Sequence, residues 1–222
     1  IRHSKIIPNF IMKIYSVLFL TVFSLAIYGQ SIVAKNKILL VKQKLEKVPP
    51  YNCDIKVNID VSFINIKERT GKMIFKNPED IDYKIKGFAF LPKNEMGATT
   101  NDLFNSEFIA ISLGIEQGNE IIKVIPMDIN AEIVTGQFWI DSNNLISKMI
   151  LITKDKGSYS AELNYGNTKY DLPSDIKIVF DVKNQKMPAL LTGDLESYSE
   201  EIQDVNKVSK GSIKIKYFNH KF

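Results

Sequence analysis

The sequence predicts a mostly β domain, an antiparallel meander of about ten short strands that curls around an N-terminal helix. Three observations support this prediction. Apolar and polar residues alternate in one segment after another, which is typical of strands with one buried face. Short turn sequences separate these segments, as in hairpins. One stretch has the three-to-four-residue apolar spacing of an amphipathic helix.

The first part of the chain has the layout of a secretory signal peptide. Residues 12–30 start with a Met-Lys pair, continue with an apolar run over 14–26 and end in small and polar residues. The run is short for a bilayer span, and an uncleaved membrane anchor is the alternative interpretation. We expect cleavage near Gln30 and a single mature domain, residues 31–222, outside the cytosol. Residues 1–11 are expected to be read-through upstream of the true start.

Composition narrows the classes of function. The 222 residues carry a net charge of +4, and three of the positive charges precede residue 31, which leaves +1 on residues 31–222. A nearly neutral protein has no electrostatic reason to bind nucleic acid. Cys53 is the only cysteine, so an internal disulfide is excluded and stability must come from the core.

The helix and the first strand are the clearest elements. Residues 31–48 place apolar side chains at helical spacing among lysines, Ser31 can cap the start, and Pro49-Pro50 ends the pattern. The alternation then changes to period two over residues 55–63.

Later segments continue the meander. A phase change at Gly87 suggests a bulge or bend, residues 100–108 suggest a short helix, and the polar stretch 183–210 resists a strand interpretation. Turns are predicted at residues 117–119, 142–144 and 155–157, and further strands at 70–76, 81–91, 109–116, 120–125, 131–141, 145–154, 158–165, 175–182 and 212–218.

Signals of catalysis are nearly absent. The two histidines are His3, upstream of the expected mature domain, and His220 near the last residue, so a zinc site or a Ser-His-Asp triad has few residues to use. Cys53 without a histidine partner reads as a buried residue rather than a nucleophile. Trp139, the single tryptophan, is interpreted as a core anchor or, alternatively, as part of a ligand cavity.

Several stretches resemble the LolA-like family of outer-membrane lipoprotein-sorting proteins. They are a first strand "DIKVNIDVSF", a hairpin "GKMIFKNPEDIDYKI", the turn "KVIPMD" and the run of strands and turns "GQFWIDSNNLISKMILITKDKGSYSAELNYGNTKYDLPSDIKIVFDV". The signal peptide ending in Tyr-Gly-Gln is similar to those of Bacteroidetes. The resemblance implies a curved antiparallel sheet that forms an incomplete β-barrel, with an N-terminal helix and a small helical lid over an apolar cavity.

The resemblance also implies a function. It suggests a periplasmic carrier, a monomer without cofactor or metal, that binds lipoprotein acyl chains or related lipids and meets inner- and outer-membrane lipoprotein-handling proteins. In the family an arginine before the hairpin proline holds the lid closed. Asn77 occupies that position here, and Arg69, in the expected turn before Gly71, is a possible substitute.

One face of the predicted sheet is expected to line the cavity. Its residues are Val57, Ile59, Val61, Phe63, Met73, Phe75, Tyr83, Ile85 and Trp139, and the lid is expected to contain Leu103, Phe104, Phe108 and Asn77. A solid core without a void is the alternative. There are two competing functions. In one, the same fold serves as a sensor or protein-binding module, and in the other the protein is an enzyme.

Overall fold

The computed structural model describes residues 31–61, 64–85, 103–154, 157–166, 170–182 and 209–222. The expected signal peptide, Phe63, the bend at Gly87 and residues 183–208 of the polar stretch lie outside these ranges.

One helix, α1 (31–46), precedes ten strands. The strands are β1 (Tyr51–Val61), β2 (Ile64–Asn77), β3 (Asp80–Ile85), β4 (Phe108–Glu116), β5 (Asn119–Pro126), β6 (Ile133–Ile140), β7 (Ile146–Thr153), β8 (Ser158–Tyr165), β9 (Pro173–Val182) and β10 (Ser209–Lys221).

The strands form one antiparallel sheet in the order β3-β2-β1-β10-β9-β8-β7-β6-β5-β4. The sheet curves around α1 but is not closed, because β3 and β4 are its two edges among the described strands. The predicted mostly β fold and the incomplete barrel are confirmed. None of the helices within the described ranges is long and apolar enough to cross a membrane.

Several predicted boundaries were wrong, among them the start of the second strand, at Ile64 rather than residue 70, and that of the last strand, at Ser209 rather than residue 212. The first strand starts at Tyr51, because Tyr51 and Cys53 continue the buried alternation upstream of residue 55. Arg69 lies within β2, opposite Val57, rather than in a turn. Of the helix predicted over 100–108, a single helical turn at 103–105 is described, residues 100–102 lie outside the described ranges, and the helix ends before 108 because Phe108 already pairs with β5 at the start of β4.

Two apolar clusters fill most of the concave side of the sheet. The β4–β7 cluster includes the buried face of α1, with Ala34, Ile38 and Val41, and the turn at 103–105. The β1–β10 cluster joins β1, β2, β8, β9 and β10. Met149 and Leu163 pack against both clusters and mark the seam between them. Val41 and Leu45, in the C-terminal half of α1, line the same cavity as these two residues.

Candidate functional site: a cavity on the concave face

An apolar cavity of about 280 Å³ lies at this seam. Its walls come from α1, seven strands and the connections between them. The lining residues are Val41, Lys44, Leu45, Val48, Tyr51, Met73, Phe75, Pro78, Ile81, Tyr83, Phe104, Asn144, Leu145, Ile146, Met149, Leu163, Tyr165, Tyr170, Asp171, Leu172, Pro173, Ile176, Ile178, Ile215 and Tyr217.

The cavity lies at one end of the sheet, which we call the hollow end. This end contains the first residues of β1 and β9 and the last residues of β2, β8 and β10. At the opposite filled end, side chains occupy the same concave face. The ring of Phe180 covers Gly211 so closely that a Cβ on that glycine would lie 2.5 Å from the ring. Ile85 covers Gly71 in the same way, at 2.6 Å.

The predicted cavity residues divide between these two ends. Met73, Phe75 and Tyr83 line the cavity. Val57, Ile59 and Ile85 are not among the residues that line it. Val57 and Ile59 are buried in the β1–β10 cluster, and Ile85 packs against that cluster at the filled end. Of Val61 only the backbone is described, and Phe63 lies outside the described residues. The alternation of β1 identified the inward face, but it carries no information on which part of that face is covered.

Trp139 is placed away from the cavity. Its Nε1 donates a hydrogen bond to Oε2 of Glu116 at 2.7 Å, and Nζ of Lys148 lies 4.6 Å from its ring centroid. Its neighbour Phe138 is buried in the β4–β7 cluster. Because successive strand residues face opposite sides, Trp139 packs on the convex face.

One of the predicted lid residues borders the cavity. Phe104 lines it and packs on Phe138, with ring centroids 5.2 Å apart, whereas Leu103 and Phe108 are buried in the β4–β7 cluster. Asn77 is exposed, and its Oδ1 accepts the backbone N–H of Glu79 at 2.8 Å.

Glu79, rather than Asn77, connects the β2–β3 hairpin to the helical turn at 103–105. Nδ2 of Asn105 donates to Oε1 of Glu79 at 3.2 Å. Both groups are exposed, so this is a weak contact in water.

Charged residues mark the rim of the cavity. Nζ of Lys44 on α1 lies 2.8 Å from Oδ2 of Asp171 and donates to the carbonyl of Asn143 at 2.9 Å. Asp171 and Asn144 have left-handed backbones, with φ of 50° and 61°. These contacts join α1 to the β6–β7 and β8–β9 connections. No sequence pattern indicates the pair of Lys44 and Asp171, because its members are far apart along the chain.

Hydroxyl groups interrupt the apolar wall at two places. Tyr165 donates to the carbonyl of Ile146 at 2.9 Å. The phenols of Tyr83 on β3 and Tyr217 on β10 lie close to each other and to that of Tyr51. Burial raises the pKa of all four phenols. Each therefore remains neutral at physiological pH. No sequence pattern marked Tyr217, since β1 and β2 separate its strand from β3 and only the curvature of the sheet brings it close to Tyr83.

Cys53 lies beside this group. It is a buried free thiol, and burial, together with the charge of Asp54, raises its pKa to about 12. A thiol of this kind is a poor nucleophile near neutral pH. Nε2 of His220 is buried without a hydrogen-bond partner within the described structure, and burial lowers the pKa of this imidazole. No cluster of His, Cys, Asp and Glu suited to a metal ion is found among the described residues.

Three solved structures share this fold. A LolA superfamily protein from Nitrosomonas europaea has 10% sequence identity, a TM-score of 0.52 and coverage of 85% of this chain and 93% of its own. A candidate outer membrane lipoprotein-sorting protein domain from Vibrio parahaemolyticus has 11% identity, a TM-score of 0.51 and coverage of 85% and 92%. A DUF1329 family protein from Desulfovibrio piger has 10% identity, a TM-score of 0.54 and coverage of 87% and 93%.

No family model and no curated protein sequence matches the chain. The fold is LolA-like: an open, curved antiparallel sheet with few helices. The resemblance seen in the sequence motifs is confirmed at the level of the fold. At 10% identity, the likeness shows the fold alone.

Proposed function

We propose that this protein binds an acyl chain of a lipoprotein or a related lipid in the cavity and carries it through the periplasm for sorting to the outer membrane. The single observation that supports this proposal is the apolar cavity between α1 and the concave face. The proposal is one of binding and release, in which no bond is made or broken. Membrane proteins that hand over and accept lipoproteins are the partners it implies.

The energetics suit a carrier. Each methylene of an acyl chain that leaves water gains about 0.8 kcal/mol, so even a short chain is held firmly. The walls offer branched and aromatic side chains, while the charged pair Lys44–Asp171 stays at the rim. Such a lining favours apolar ligands without specifying one chain length.

Displacement of a fluorescent fatty-acid analogue tests this proposal. Ile176→Phe adds bulk to the cavity wall on β9 and should abolish binding of the analogue. Ile152→Phe makes the same change on an exposed position of β7 and should leave binding unchanged. Wild-type protein that binds no analogue and co-purifies with no acyl lipid, as judged by mass spectrometry, would contradict the proposal.

A further inference from the structure

The outer edge of β4 is apolar. β4 forms one edge of the sheet among the described strands, so one side of its backbone has no partner strand there. The stretch from Phe108 to Ile115 contains no charged residue and no proline, which are the residues that protect many sheet edges from pairing. A bulge between Ser112 and Gly114 interrupts only the second half of the strand. The first half can therefore pair with another strand.

Exposed aliphatic side chains lie on both faces of this edge. Ile109 and Ile111 are exposed on the convex face, because Ala110 between them is buried in the β4–β7 cluster. The bulge reverses the alternation, so Ile115, which is 79% exposed, lies on the concave face opposite Glu120. A partner laid on one face would cover only part of this apolar surface, whereas a strand added to the edge covers both faces.

The charges of the two edge strands indicate which strand fits. The partner must offer an extended, uncharged strand with an unpaired edge, and β4 of a second copy meets these requirements. β3, the other edge among the described strands, carries Asp80, Asp82 and Lys84, which would have to enter an apolar contact. A contact between β3 and β4 would also repeat without closing and produce filaments, whereas two β4 strands about a two-fold axis close into a dimer.

The bulge limits the register of such a pair. Regular pairing is available over residues 108–112, before the bulge, and Ala110 is at the centre of this stretch. An antiparallel pair with its two-fold axis at Ala110 places Ile109 opposite Ile111 of the partner subunit, once on each side of the axis. Because residues 108–112 carry no charge, no like charges meet in this register.

The length of the edge limits the strength of the contact. β4 has nine residues, so the edge is about 30 Å long at the usual rise per residue, and a sheet is about 10 Å thick. These dimensions give roughly 300 Å² per copy, against about 800 Å² per partner in a stable complex. We therefore expect a dissociation constant in the micromolar range or weaker rather than an obligate dimer.

We propose that two copies of this chain pair through their β4 edges and form a weak, symmetric dimer with one continuous sheet. The cavity-lining residues include none from β4, so the dimer leaves both hollow ends open. The inference does not depend on lipid binding, and it differs from the monomer that the family resemblance implies.

Sedimentation velocity of the protein at about 10 to 500 µM, the range expected for a weak interface, tests the inference. The wild-type protein should change from monomer to dimer with concentration. Ile111→Lys puts a charge into the contact, as many natural edges do, and should raise the dissociation constant at least about tenfold. Ile152→Lys is the matched control, because Ile152 is 44% exposed against 41% for Ile111 but lies on the interior strand β7. Its dimer should persist.

Three results would overturn the inference. They are a monomer at every concentration, open-ended polymers, and a dimer that Ile111→Lys does not weaken. Each of these results leaves the proposed lipid binding untouched, because the measurement contains no ligand.

Disulfide cross-linking tests the register and serves as a second measurement if Ile111→Lys unfolds. Cys53 is buried, so cysteines introduced at positions 109 and 111 are the ones that react. Opposite residues in an antiparallel pair have Cα atoms about 4.5–5.5 Å apart, which a disulfide spans, whereas identical residues in this register are diagonal and too far apart. A mixture of Ile109→Cys and Ile111→Cys should therefore cross-link under mild oxidation, and each variant alone should not. No cross-link in the mixture, or an equal yield from either variant alone, would overturn the proposed pairing.

Discussion

The two ends of the concave face differ although the same strands build them. At the filled end, Phe180 and Ile85 lie across glycines of neighbouring strands. At the hollow end, the rings of Tyr51 and Phe75 stack on each other at 5.1 Å along the wall. Aromatic side chains at both ends are buried or half-buried, but Phe180 covers a glycine of the next strand, whereas Tyr51 and Phe75 line open space. What a side chain covers, rather than its hydrophobicity, separates the core from the cavity.

Removing a ring should have the largest effect, and it should differ between the ends. Phe180→Ala is expected to lower the free energy of unfolding by about 3–5 kcal/mol, since it deletes a buried ring and leaves a void. Phe75→Ala should cost only about 1–2 kcal/mol, because this half-buried ring already faces open space. Urea denaturation of both variants measures the difference. Equal losses would show that the two ends are packed alike.

Adding volume should produce a smaller contrast of the opposite kind. Ile213 and Ile215 are both buried and share one face of β10, but only Ile215 lines the cavity. Ile213→Phe should therefore overpack the core and destabilise the fold by about 1–3 kcal/mol. Ile215→Phe can turn its ring into the empty space and should cost less than about 1 kcal/mol. Thermal melts of the two variants measure this difference in stability. A larger loss of stability for Ile215→Phe than for Ile213→Phe would argue against the void.

Alkaline pH should act on the hollow end, with the smallest effect. Burial raises the pKa of Cys53 to about 12 and also raises the pKa of Tyr83 and Tyr217. The folded state therefore holds these protons more tightly than the unfolded state. The resulting stability is complete below about pH 9 and is lost as the pH rises toward 12.

Cys53→Ala should make this decline shallower. Ile213→Val, a change at the filled end without a titrating group, should shift stability equally at every pH. Urea midpoints measured between pH 7 and 10.5 give the comparison. Parallel curves of urea midpoint against pH for wild type and Cys53→Ala would show that burial does not raise the pKa of the thiol.

Sequence pattern predicted the strands and the inward faces because both depend on local alternation. Ile59 and Met73 show the same pattern, yet only Met73 borders the cavity. On the side of the sheet where Ile59 lies, Phe180 and Ile85 cover Gly211 and Gly71, and these contacts depend on the curvature and register of the whole sheet. The Lys44–Asp171 rim contact and the proximity of Tyr83 to Tyr217 were missed for the same reason, because each brings together residues that only the folded sheet places side by side.

The position of Trp139 determines how ligand binding can be followed by light. This single indole lies on the convex face, fixed by Glu116 and Lys148, with the β4–β7 cluster between it and the hollow end. Its emission should therefore report unfolding and remain nearly silent when a ligand enters. The tyrosines of the cavity wall are the intrinsic chromophores that sense an occupant, so ultraviolet difference spectra near the phenol band would detect binding that tryptophan fluorescence overlooks.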